Sequence, residues 1–194
     1  MRRGFKSEAE RLATGIRERH GCESDDPAPL DVVASELNVE IIPADRLVSR
    51  ARLEELEALQ PDAFSAGTFR RGNGTRVVVY NPLHSPGRTR SNQAHELAHI
   101  LLDHDVRTIE QVGNLKFLTC DTEQEEEADW LGGCLLLPRD LLMNAAWKGM
   151  SPADIADKYE TSEQMARFRL NASGVLVQVG RAKAAKARGR SASR

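Results

Sequence analysis

No apolar run in this 194-residue chain approaches the roughly 18 residues needed to cross a bilayer, so a membrane-spanning helix is excluded. Cysteine is scarce. Cys22, Cys120 and Cys134 lie far apart, with no Cys-x-x-Cys pair and an odd count. That argues against a disulfide framework and a thiolate metal cluster, and fits a reducing compartment. Net charge is also nearly absent: a formal −2 gives no electrostatic case for binding nucleic acid or a membrane surface. The opening residues MRRGFKSEAERLATGIRERHG begin basic but contain no apolar core, so they do not form a secretory signal. A cytoplasmic protein is expected.

What is present is an ordinary globular composition, 40% hydrophobic and 29% charged, unevenly arranged. Six acids crowd residues 121–129, and the last fourteen residues carry six bases and no acid. Apolar spacing at Phe5, Ala9, Leu12 and Ile16 predicts a helix over 5–19. A short helix at 30–37, a strand at 39–42 and a charged helix over 45–59 follow. Ala63–Arg70 and Thr75–Tyr80 read as strands joined by the turn Arg71-Gly72-Asn73-Gly74. The Pro- and Gly-bearing stretch 84–89 reads as a loop, after which Ser91 or Asn92 caps a helix running to Leu102. Further helices are predicted at 122–137, 139–147, 152–159 and 162–171, with a last strand at 175–179. The pattern is α+β, helices around a small antiparallel sheet, in one domain over 1–178. The basic tail 179–194 has almost nothing to bury and reads as disordered.

Chemistry concentrates in Ala94-His95-Glu96-Leu97-Ala98-His99. Histidines at i and i+4 stand one above the other on a helix, so His95 and His99 can reach one metal ion. Glu96 follows the first histidine and is placed to serve as the general base of a zinc peptidase. A third protein ligand is required. A continuation of the form HExxHxxGxxH fails, because Leu102 and Asp105 occupy the glycine and histidine positions and His104 comes one residue early. A carboxylate from a second helix is the other option. There Glu125, Ala128, Asp129 and Gly132 share one face, so Glu125 is the candidate ligand and Asp129 a hydrogen-bond partner for a ligand histidine. Glu127 is the competing ligand, since helix boundaries shift by a residue or two. Otherwise Glu126 and Glu127 read as a solvated face, His104 as a surface or outer-sphere residue, His84 as a loop histidine and Cys134 as core.

Three blocks in order resemble the ImmA/IrrE family of metallopeptidases. They are Phe64-Ser65-Ala66 through Val79-Tyr80-Asn81-Pro82, then Ala94-His95-Glu96-Leu97-Ala98-His99, then Glu125-Glu126-Glu127-Ala128-Asp129 through Leu135-Leu136-Leu137-Pro138. The resemblance implies a zincin-like fold, a Zn²⁺ ion (Mn²⁺ being possible with this donor set) held by His95, His99 and Glu125, and Glu96 as the catalytic base. It also implies a protein substrate, a helix-turn-helix repressor whose cleavage releases stress-response or mobile-element genes. Two departures stand out: Ser91-Asn92-Gln93 where the family often has Phe-Thr-Leu, and Leu131-Gly132 where it has Phe-Ala. Residues 151–172 themselves resemble a helix-turn-helix, but Glu160 sits where a tight-turn glycine belongs. The pair is therefore expected to pack on the peptidase domain, without direct nucleic-acid contact. A regulator that binds a repressor or DNA without cutting is the rival reading.

Overall fold

A computed structural model describes residues 1–23, 25–104, 108–112, 115–119 and 121–192. The chain opens with α1 (Phe5–Arg19), α2 (Leu30–Glu36) and β1 (Val39–Pro43), followed by α3 (Arg50–Leu59) and the hairpin β2 (Ala66–Arg70) and β3 (Arg76–Tyr80). Then come α4 (Pro86–Leu101), a second hairpin of β4 (Thr108–Val112) and β5 (Leu115–Thr119), and α5 (Thr122–Leu136). Helices α6 (Arg139–Lys148), α7 (Pro152–Lys158), α8 (Glu163–Ala172) and α9 (Val175–Ala192) complete it. No described helix is long and apolar enough to cross a membrane.

The α+β class is as expected, but the three-stranded sheet is mixed rather than antiparallel. Its order is β1-β3-β2, with β2 antiparallel to β3 (Ala66 opposite Tyr80, Arg70 opposite Arg76) and β1 parallel to it (Val39 opposite Arg76, Pro43 opposite Tyr80). The reason is which strand β1 pairs with: the chain passes through α3 into β2, which runs opposite to β1, and the hairpin turn reverses it again, so β3, the strand beside β1, runs parallel to it. Both β1 and β2 are therefore edges.

The main core lies between helices. Phe5, Ala9, Ala13 and Ile16 of α1 are buried along one stripe, and so are Ala128, Leu131, Cys134 and Leu135 of α5. A smaller cluster of Ile42, Leu53, Val77 and Val79 lies under α3. Helices α4 and α5 pack closely because Gly132 faces the α4 backbone. A Cβ there would lie 3.1 Å from the carbonyl group of Ala94 and from the His95 Cα. Gly87 is required more strictly, since its Cβ would lie 2.2 Å from the Thr161 carbonyl oxygen in the turn before α8.

Two boundaries differ from the sequence reading. Helix α4 starts nearly two turns early, at Pro86, with Ser85 as N-cap and proline in the first turn. Proline is well suited to that position because its missing N–H has no partner there anyway. Secondly, residues 175–179 form the start of a helix, not a strand, and the helix runs through Ala192 where a disordered tail was expected. Val175 and Val179 are buried while Leu176 and Val177 are exposed, which is four-residue spacing. The Ala-, Lys- and Arg-rich continuation is a strong helix former.

Candidate metal centre

Helix α4 presents His95 and His99 on consecutive turns, with their Nε2 atoms 3.0 Å apart. Helix α5 brings Glu125 opposite: Oε2 lies 3.2 Å from His95 Nε2 and Oε1 3.5 Å from His99 Nε2. Ligands on a tetrahedral zinc with bonds near 2.05 Å are separated by roughly 3.3 Å. Two imidazole nitrogens and a carboxylate at the observed spacings therefore fit such an ion.

The groups behind these three are equally well placed. His95 Nδ1 lies 2.8 Å from Asp129 Oδ1, one helical turn beyond Glu125. His99 Nδ1 lies 3.0 Å from His104 Nδ1, and His104 Nε2 lies 3.6 Å from Glu127 Oε2. Glu127 in turn accepts from the Arg2 backbone N–H at 3.1 Å. If His99 offers Nε2 to a metal, its proton sits on Nδ1 and is donated to His104, whose own proton then faces Glu127. Glu127 is buried, contrary to the solvated face read from the sequence, and it holds His104 rather than joining the triad. A Glu at the third position of an acidic run gave no sign of this, because His104 lies across a hairpin from it. Replacing His104 by Ala is expected to weaken zinc binding about 10- to 100-fold, the usual effect of losing an outer-sphere partner. Competition against a fluorescent chelator measures it; unchanged affinity removes His104 from the centre.

Glu96 is 4% exposed, and Thr68 Oγ1 of β2 donates to its Oε2 at 2.7 Å. One carboxylate oxygen is thereby fixed while the group lines a cleft that also contains Ser65, Asn92, His95 and Asp129. Both departures from the resembled family fall here: Ser91 and Asn92 line the cleft, and Gly132 underlies His95.

Burial lowers the His95 pKa, but hydrogen bonds to Asp129 and Glu125 outweigh it and push it up to about 9. The two imidazoles hold the Glu125 carboxyl well below the usual carboxylate range. At neutral pH the metal-free site thus carries a proton on His95 that a metal must displace. The folded, metal-free form gains stability from this charge below the free-histidine pKa and loses it as pH rises toward 9. If zinc binds here, its affinity is expected to rise about tenfold per pH unit between about pH 6.5 and 8.5, with about one proton released. Calorimetry in buffers of different ionisation enthalpy counts that proton, and a pH-independent affinity contradicts the assignment.

A second group of donors, Glu57, Asp62 and His84, is partly engaged by neighbouring side chains, although the buried His84 Nδ1 has no hydrogen-bond partner among the described residues. Arg88 donates to Asp62 at 2.5 Å, and Asn81 Nδ2 lies 3.3 Å from His84 Nε2 and 3.4 Å from Glu57. Burial and Arg88 both lower the His84 pKa. His84 does not line the cleft.

The helical pair α7–α8 packs on the rest of the chain. Ser91 Oγ lies 3.0 Å from Thr161 Oγ1 and accepts from the Ser162 N–H at 3.0 Å. Ile155, Tyr159, Ala166, Arg169 and Leu170 are buried.

Comparison with curated proteins gives no match. The sequence signature of the Peptidase_M78 family, the IrrE N-terminal-like domain, matches residues 55–171, a span that contains both site helices and the α7–α8 pair. Covering more than half of the chain and every residue of the donor triad, this match places the protein in the M78 peptidase family, the IrrE N-terminal-like domains.

Proposed function

We propose that the protein is a zinc-dependent endopeptidase, with His95, His99 and Glu125 as metal ligands and Glu96 as general base. The observation that carries this reading is the convergence of three donor residues, with contacts of 3.0, 3.2 and 3.5 Å between them, next to the buried Glu96 carboxylate on the helix of the two histidines. A zinc ion in such a site supplies Lewis acidity and makes water a nucleophile near neutral pH. The chain supplies the rest. Glu96 takes the proton of the attacking water and passes it to the leaving amine. Thr68 fixes the carboxylate for both transfers, and Asp129 and His104 hold the two imidazoles in the required tautomer. Among the described residues β2 is an edge strand, and its outer edge is where an extended peptide can lie beside Thr68.

The substrate class comes from the resemblance: a helix-turn-helix repressor cut at one site, derepressing stress-response or mobile-element genes. The test is intact-mass analysis of such a repressor, encoded beside this gene, incubated with zinc-loaded and with chelator-stripped protein. One new cut that requires the metal is expected, with unfolded casein left whole. Digestion of casein makes the enzyme a general protease. A stable complex with no cut makes it a binding regulator.

A further inference from the structure

We infer that α8 forms the selective wall of this cleft and that the wall takes an apolar side chain, of leucine or phenylalanine size, next to the peptide bond that is cut. The inference rests on the peptidase reading above.

The cleft measures about 430 Å³, enough for a few residues of extended peptide. Its lining combines two chemistries: Glu96, His95 and Asp129 are charged or polar, while Met165 and Phe168 of α8 and Ala66 of β2 are apolar. Phe168 is 37% exposed, and its ring packs edge-on against the buried Trp130, centroids 5.8 Å apart. An aromatic ring held rigidly by another, with a third of its surface left open beside a charged centre, is the kind of anchor that binding sites use. Met165 is unbranched and polarisable, so it adapts to side chains of differing shape.

The wall is also held in place. Ser162 caps α8 by accepting from the Met165 N–H at 3.1 Å, and it accepts from Ser91 Oγ of α4 at 3.2 Å. The close approach at Gly87 locks the same turn against the start of α4. Met165 and Phe168 are thus fixed relative to Glu96 before any ligand arrives, which lowers the entropy lost on binding. Charge strengthens the choice. Glu96, Glu125 and Asp129 surround the centre, so an acidic side chain next to the cut would be repelled as well as poorly packed.

The wall can be read by binding, independently of cleavage. Zinc-loaded protein is titrated calorimetrically with N-acyl amino-acid hydroxamates carrying Leu, Phe, Gly or Asp side chains, which share one metal-binding group. Leu and Phe are expected to bind about tenfold or more tighter than Gly, the discrimination an apolar pocket gives, with Asp weakest. Met165→Ser and Phe168→Ser should each bring the Leu-to-Gly ratio close to one while zinc stoichiometry stays at one per chain. Equal affinities in the wild type, or a preference that survives both substitutions, overturns the inference. A clear preference in a protein that cuts no peptide upholds the wall and defeats the peptidase reading instead.

Discussion

Glu96→Gln leaves the metal bound and lowers peptide cleavage by about 10²–10⁴-fold, the share that a positioned general base contributes. The magnitude follows from what the substitution preserves. Glutamine has the shape of glutamate, so the buried pocket on α4 stays filled and the amide can still pair with Thr68 Oγ1, which holds the carboxylate at 2.7 Å. The three donor residues on α4 and α5 are untouched, so zinc content is expected to stay at one per chain. Only the capacity to accept and return a proton disappears. Cleavage of the repressor, followed by intact mass and normalised to bound zinc, measures the loss. Activity within threefold of wild type would show that another group carries the proton. Among the described residues, His104 is a poor substitute because its ring is committed between His99 and Glu127.

The grouping of His95, His99 and Glu125 was legible because its spacing is local. His95 and His99 need only helical periodicity, and Glu125, Asp129 and Gly132 need only one face of a second helix, so both sets can be placed without knowing the fold. Gly132 even announces the close approach of the two helices, which the 3.1 Å clearance to Ala94 bears out. What escaped is what depends on distant parts of the chain. Glu127 looks like any surface glutamate in an acidic run until α1's leading segment and His104 close over it. The start of α4 was missed because Pro86 and Gly87 both read as loop residues. Proline is in fact favoured in a first helical turn, and the glycine answers to Thr161, seventy-four positions away in sequence. Parallel pairing of β1 depends on its lying beside β3 rather than β2, a choice that no pattern within β1 encodes. Three consecutive valines at 77–79 do agree with a central strand, buried on both faces. At 175–179 the β-branched residues outweighed the i, i+4 spacing that decided the outcome.

Arg169→Leu is expected to destabilise the protein by about 3 kcal/mol, toward the lower end of the penalty for breaking a buried ion pair. Arg169 is fully buried; its Nη2 donates to Glu10 Oε1 at 2.6 Å, and both Nε and Nη2 donate to the Leu137 carbonyl at 3.2 and 3.1 Å. Its guanidinium also lies 5.4 Å from the Trp130 ring centroid. Leucine leaves the Glu10 carboxylate without its cation and the carbonyl without either donor. Glu10 keeps 21% exposure, and the water it can reach is why the lower figure applies. Urea unfolding of the zinc-free protein measures the change, and adding Glu10→Gln should recover part of it by removing the stranded charge. The same contact ties α8 to α1 and to the end of α5, beneath the face that carries Met165 and Phe168. Loosening it should therefore weaken binding of the Leu hydroxamate more than binding of zinc, whose proposed ligands lie on α4 and α5. If zinc affinity falls by the larger factor, Arg169 supports the metal helices rather than the cleft wall.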